Sequence, residues 1–168
     1  MRQQAFWFRQ RPVMPPQRFD LLTVWRLDAP VKDVWDILMA VEDWPLWWRA
    51  VSRVELLERG DEHGVGAVHR ITWKTALPYT VTIDLRNTRV EPMRVVEGRA
   101  SGDVDGSGRW TITPEGQGTH VRYDWRVEVT KPWMRLLAPV LRPMFSWNHD
   151  QVMAWGYQGI RRRLVELR

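Results

Sequence analysis

Residues 133–167, WMRLLAPVLRPMFSWNHDQVMAWGYQGIRRRLVEL, carry the pattern from which the rest of the chain can be read. At about 100° per residue, Leu141, Phe145, Val152, Gly156 and Gly159 fall within a narrow sector, Asn148 and His149 flank it, and Asp150 points to the far side. The spacing predicts one long or kinked helix with an apolar stripe to cover. A polar pair set beside such a stripe predicts a lined cavity.

What the stripe covers is written in the preceding residues. From 119 to 129, Thr119, Val121, Tyr123, Trp125, Val127 and Val129 alternate with His120, Arg122, Asp124, Arg126 and Glu128, the period-2 pattern of a strand with one wet face. Slipping that register by one residue would reverse every side chain. By the same alternation Val104, Gly106, Gly108, Trp110 and Ile112 point inward, as do Tyr79, Val81, Ile83 and Leu85, and Ala67, His69, Ile71 and Trp73. Gly106 and Gly108 read as places where the sheet curves or another group approaches closely. Strands are predicted at 19–27, 51–58, 67–74, 79–89, 93–100, 104–113 and 119–129, seven in all, with short turns rich in Gly and Pro between the last six. Short connections predict an antiparallel meander. The register of 51–58 stays open, because Val54 and Leu56 compete with Val51 and Leu57 for the inner face.

Between the first two strands, Asp28-Ala29-Pro30 marks a helix start. Val34, Ile37, Leu38 and Val41 then give a helix over 31–40 its buried stripe, and Asp43-Trp44-Pro45 opens a second helical turn through Trp47 and Trp48. Those three tryptophans read as exposed, at the mouth of a cavity or against a membrane surface, with packing over the sheet end as the alternative. Residues 1–18 are rich in Pro and Arg and read as an arm outside the domain of 19–168.

Composition limits the function classes. A chain of 168 residues is most simply one domain. The absence of cysteine excludes disulfides and thiolate chemistry and fits a reducing compartment such as the cytoplasm. No run approaches the ~20 apolar residues of a membrane span. The formal charge of +5 is dispersed, with Arg and carboxylate residues alternating along strands and Arg161–Arg163 near a helix C-terminus, where cations suit the helix dipole. No nucleic-acid-reading motif accompanies it, so nucleic acid is not an expected partner. The leader, with Phe6, Trp7 and Phe8 among arginines, and the Trp44–Trp48 turn instead suggest transient contact with a membrane surface or a protein. Asp103-Val104-Asp105-Gly106-Ser107-Gly108 resembles a calcium loop only faintly, since the twelfth position holds Pro114 where a bidentate Glu is required. His63, His69, His120 and His149 lie on different elements, so no metal site is expected. No phosphate-binding fingerprint is present, and no cofactor is expected. Oligomeric state is not encoded in any feature of the chain.

The residues that do carry identity are Leu27-Asp28-Ala29-Pro30-Val31 with Val34-Trp35 and Leu38, the Trp44-Pro45-Leu46-Trp47-Trp48 turn, the Gly102–Trp110 strand, and Trp147-Asn148-His149 on the last helix. In this order the chain resembles the START-like (SRPBCC) superfamily, and within it the bacterial polyketide cyclase/dehydrase and lipid-transport proteins, over residues 19–167. The resemblance implies a helix-grip α+β fold. In that fold a seven-stranded curved antiparallel sheet wraps a long C-terminal helix, two short helices lie between strands 1 and 2, and a hydrophobic cavity lies between sheet and helix.

For such a cavity the inward residues nominate a ligand-binding wall of His69, Trp73, Tyr79, Val81, Ile83, Gly108, Trp110, Tyr123, Trp125, Phe145, Asn148, His149, Val152 and Trp155. Tryptophan, present twelve times, supplies flat apolar surface with an N–H handle suited to lipids, polyketides, quinones or sterol-like molecules. Two roles suit Asn148 and His149. In a cyclase, aromatase or dehydratase, His149 would act as general acid or base and Asn148 would hydrogen-bond a substrate carbonyl. In a binding protein both would anchor the helix to neighbouring backbone, because buried polar groups need partners. Carriage of a small hydrophobic ligand is the leading expectation, since no complete catalytic constellation accompanies the pair.

Overall fold

The computed structural model describes residues 18–167, without the side chains of residues 135, 137–139 and 141. The leader and the Leu141 side chain of the predicted stripe therefore lie outside the described residues, save Arg18, which opens the first strand. Seven strands follow the predicted order: β1 (Arg18–Leu27), β2 (Val51–Glu58), β3 (Val68–Lys74), β4 (Thr80–Glu91), β5 (Val95–Gly102), β6 (Val104–Glu115) and β7 (Gly118–Val129). They form one antiparallel sheet ordered β1-β7-β6-β5-β4-β3-β2. The helices α1 (Val31–Met39) and α2 (Trp44–Trp47) lie between β1 and β2, and α3 (Pro132–Glu166) crosses the concave face. The helix-grip α+β fold is thus present. At 35 residues, α3 is about 50 Å long.

Alternation decided the sheet faces correctly where one side is wet. Along β7, Thr119, Val121, Val127 and Val129 are buried while Arg122 and Arg126 are exposed. The outward arginines are largely paired with carboxylates: Arg70 reaches both oxygens of Asp84 at 2.7 and 2.8 Å, and Arg122 does the same with Asp124. Surface pairs of this kind contribute little stability each. β2 shows why its register was ambiguous. Two shifts in its pairing with β3 interrupt the period, so Val51 is buried, Val54 is half-buried, and both Leu56 and Leu57 face solvent.

The Trp44–Trp48 turn corrects the expectation of an exposed cluster. Trp44, Trp47 and Trp48 are only 4%, 7% and 1% exposed. Spaced i, i+3 and i+4, they share one helical face, and that face turns inward while Leu46 points out. The Trp48 ring contacts Trp25, Trp44, Trp47 and Trp73 at centroid distances of 5.0–5.6 Å. Its indole N–H donates to the Val152 carbonyl on α3 at 2.9 Å.

This contact needs glycine on α3. A Cβ on Gly156 would stand 2.5 Å from the Trp48 ring, and one on Gly159 would overlap the Trp47 carbonyl oxygen. Of these two, read from sequence only as part of a stripe, Gly159 is where two backbones meet and Gly156 is where the α3 backbone meets the Trp48 indole. Alanine would gain about 1 kcal/mol of helix propensity at either site, yet overpacking against fixed backbone costs roughly 1–3 kcal/mol. Gly159→Ala, which meets backbone and not a movable side chain, is expected to lower the free energy of unfolding by about 1–2 kcal/mol in urea denaturation. A more stable variant would show that α2 can slide away from α3.

Candidate functional site

The concave sheet face and α3 line a partly open cavity of about 160 Å³. β3 and β4 contribute Trp73, Val81 and Ile83, β6 and β7 contribute Trp110, Tyr123 and Trp125, and α3 contributes Phe145, Asn148, His149 and Val152. Tyr79, just before β4, completes the set of predicted residues that the fold brings together. Trp110, Tyr123 and Trp125 stack in sequence, with centroids 4.1 and 5.7 Å apart and planes 22° from parallel at both steps. Alternation places their side chains on one face, and adjacency of β6 and β7 places Trp110 directly opposite Tyr123.

Three predicted residues fall outside this wall. His69 is buried at another part of the sheet, its Nε2 3.5 Å from Glu42 Oε1. Trp155 lies behind α3's cavity face, with the Arg49 guanidinium 4.7 Å over its ring. Gly108 faces inward as read, but has no side chain to reach the cavity. A Cβ there would stand 2.6 Å from the Tyr123 hydroxyl and 2.9 Å from the Trp125 ring. Gly108 is therefore the floor on which the aromatic stack rests. Trp44, Trp48, Thr75 and Met153 line the cavity and were not nominated. The i, i+3, i+4 spacing of the tryptophans was the available signal for two of them; Thr75 sits in a turn, where periodicity carries no information.

The polar groups cluster at one end. Asn148 Oδ1 accepts a hydrogen bond from the Ala76 backbone N–H at 2.8 Å, and its Nδ2 donates to the Tyr79 hydroxyl at 3.4 Å. Thr75 Oγ1 lies 2.9 Å from both the Leu77 and Tyr79 carbonyls. Asn148 thus ties α3 to the β3–β4 turn, the anchoring role considered above. His149 differs: both ring nitrogens are buried without a hydrogen-bond partner, and Nδ1 stands 3.6 Å from Asp150 Oδ1. Burial holds its pKa below the ordinary 6.5, against an opposing pull from Asp150. The imidazole is therefore neutral at pH 7. Burial raises the pKa of Tyr79 and, much further, that of Tyr123, so both phenols keep their protons. Among the described residues no group of three or more His, Cys, Asp or Glu is arranged to hold a metal ion. Asp103, in the calcium-like stretch, instead pairs with Lys131 at 2.8 Å and accepts the Thr82 N–H.

This fold has counterparts among known proteins. The family described as polyketide cyclase / dehydrase and lipid transport matches residues 27–154. The chain belongs to this family. Solved structures agree on the fold. The chain is similar to a START superfamily protein from Mycobacterium smegmatis, with a TM-score of 0.73, 15% identity, and coverage of 89% of this chain and 99% of that one. It is also similar to the Zhui aromatase/cyclase from Streptomyces sp. R1128, with a TM-score of 0.69, 19% identity, and coverage of 88% and 93%. A protein from Thermus thermophilus gives a TM-score of 0.71, 19% identity, and coverage of 89% and 99%. No curated protein matches the sequence. Within the polyketide cyclase / dehydrase and lipid transport family, this chain's START-like fold sets Thr75, Tyr79, Asn148 and His149 on the turn before β4 and on α3.

Two measurements test the polar end. Asn148→Ala leaves the Ala76 N–H without its acceptor and is expected to lower unfolding stability by about 1–3 kcal/mol in chemical denaturation. For His149, the folded pKa is depressed, so the unfolded chain binds the proton first as pH falls. Its contribution to stability is complete above about pH 6.5 and declines below that value. Denaturation midpoints between pH 5 and 7 should fall less steeply in His149→Phe than in the parent; parallel profiles would show that His149 is solvated.

Proposed function

We propose that the domain binds and carries a small hydrophobic ligand in the cavity between the sheet and α3. The observation that carries this reading is the wall itself: aromatic and aliphatic side chains surround the space, and among the described residues no Lys, Arg, Asp or Glu lines it. Such a wall favours an apolar guest, because contact with water is what the guest loses. Membership of a family described by lipid transport and by polyketide cyclisation supports the same class of ligand.

Cyclase, aromatase or dehydratase chemistry is the second reading, and His149 is the observation that favours it. A neutral imidazole beside an apolar cavity is suited to proton transfer if a substrate reaches its buried nitrogens. Weighing against a catalytic pair, Asn148 Oδ1 already accepts the Ala76 N–H and its amide nitrogen is directed at Tyr79. If turnover of ketide-like substrates is found, loss of activity with retained binding in His149→Ala would establish the second reading.

Native mass spectrometry of the purified protein, followed by solvent extraction, tests the first. A discrete apolar molecule is expected to accompany the parent protein and to be lost from Val81→Phe, whose larger side chain occupies the cavity. Parent protein that is empty and that binds no apolar probe would overturn the carrier role.

A further inference from the structure

The outer side of α3 divides into two halves. Past Trp147 it carries Asp150, Ala154, Gln158 and Arg161, all exposed, as a wet helix face should. Before that point Trp133, Leu136, Val140 and Trp147 are 43%, 66%, 79% and 49% exposed, and Pro143 is exposed among them. Spaced i, i+3, i+7, i+10 and i+14, these five fall within roughly 80° of the helix circumference and form one apolar stripe. At ~1.5 Å per residue it runs about 21 Å from Trp133 to Trp147. Single apolar residues on a surface are ordinary, whereas four turns of them in line make a contact surface.

Charge identifies what covers it. From residue 129 to residue 149 the sequence holds Lys131, Arg135 and Arg142 and no Asp or Glu. Lys131 pairs with Asp103. The Arg142 guanidinium stands 5.4 Å over the Phe19 ring and pairs with no carboxylate among the described residues. An apolar line with only cations around it is complementary to an anionic lipid surface, where insertion and attraction to headgroups act together. Tryptophan at both ends of the stripe suits the same place, because its ring favours the boundary between membrane and water.

Other occupants fit less well. The leader, residues 1–17, joins β1 beside Phe19, whose ring meets Phe145 of α3 at 6.0 Å. Its charged residues are Arg2, Arg9 and Arg11, of the same sign as those around the stripe. A second copy would likewise set cations against cations, and a helix-pairing seam takes Leu, Ile or Val where this one has Trp and Pro.

We infer that the N-terminal half of α3 is a docking surface for bilayers containing anionic phospholipid, with Trp133, Leu136, Val140 and Trp147 inserted at the boundary of headgroups and acyl chains. Met134 and Phe145, on the inward side of the same turns, line the cavity, and Trp133 meets the ring of Tyr79 on the cavity wall edge-on at 5.5 Å. The half of α3 that covers the cavity is thereby the half that meets the membrane. The half fixed against Trp48 and Trp47 at Gly156 and Gly159 stays in water.

The test is flotation of the full chain with vesicles of phosphatidylcholine alone and of phosphatidylcholine mixed with phosphatidylglycerol, at low and high salt. The parent is expected to float with the mixed vesicles, and less so at high salt. Leu136→Glu/Val140→Glu alters two exposed side chains, so its melting temperature should match the parent's. Its partition onto the mixed vesicles should fall by about tenfold or more, the loss of two inserted apolar side chains. Leu56→Glu/Leu57→Glu makes the same charge change at another exposed apolar pair, on β2, and should float like the parent. A parent that does not float with the mixed vesicles overturns the assignment, as does a Leu136→Glu/Val140→Glu protein that floats equally well. Equal loss in both double variants would be a response to net charge alone and overturns it too, and equal flotation with both kinds of vesicle overturns the requirement for anionic lipid. A dimer of the parent in sedimentation velocity that Leu136→Glu/Val140→Glu dissociates gives the stripe to a second copy instead. None of these results decides the carrier role, which rests on the inner face of α3 and on the molecule extracted from the protein.

Discussion

Trp48 is the side chain through which the layers of this protein meet. It lies between α2 and α3, touches tryptophans from β1, α2 and β3, and donates its N–H to the carbonyl of Val152. A buried indole stabilises through area, roughly 1.5–3 kcal/mol for a large apolar side chain, only if its N–H is also satisfied. Here both conditions are met by α3, and both depend on Gly156 leaving room for the ring. The height of α3 above the sheet, and with it the space left beneath, follows from that contact.

The cavity is correspondingly shaped by what its walls have already spent. Indole N–H groups of Trp44 and Trp48 go to the carbonyls of Leu38 and Val152. The Asn148 amide goes to the β3–β4 turn. Polar side chains facing inward are thus mostly structural, and the chemistry available to a guest is narrower than their number suggests. What remains to a guest is chiefly aromatic surface, since both His149 nitrogens are covered by protein atoms.

Much of this was legible in the sequence, for reasons that differ by element. β7 was clear because one of its faces is wet and the other dry, so polarity reports direction. α1 was clear because Val34, Ile37 and Leu38 repeat at helical spacing. The Trp44–Trp48 turn was left open between exposure and packing because tryptophan suits both an interface and a core; its i, i+3, i+4 spacing pointed to the core. Gly108 was read as wall when it is floor, since alternation gives the direction of a side chain and says nothing of its reach. The difference between Asn148 and His149 was beyond sequence: the partner of Asn148 is a backbone N–H in a turn 72 residues away, and no periodicity connects the two.

The strand order also dictates when the container comes into being. Every ladder but one joins strands consecutive in the chain; β1 instead pairs with β7, so that Leu27 finds Thr119 after 92 intervening steps. The hairpins from β2 to β7 close short loops, whereas the β1–β7 ladder must first overcome the entropy of a long one. Thr119 then fastens the junction by donating its hydroxyl to the buried Ala29 carbonyl at 2.6 Å. Phe19 and Leu21 on β1 and Tyr123 and Trp125 on β7 stand on opposite sides of that seam and all face the cavity. A partly folded chain therefore has curved hairpins and no vessel. A guest recognises only the finished topology, and its binding energy is added to the closing of the most distant contact in the molecule.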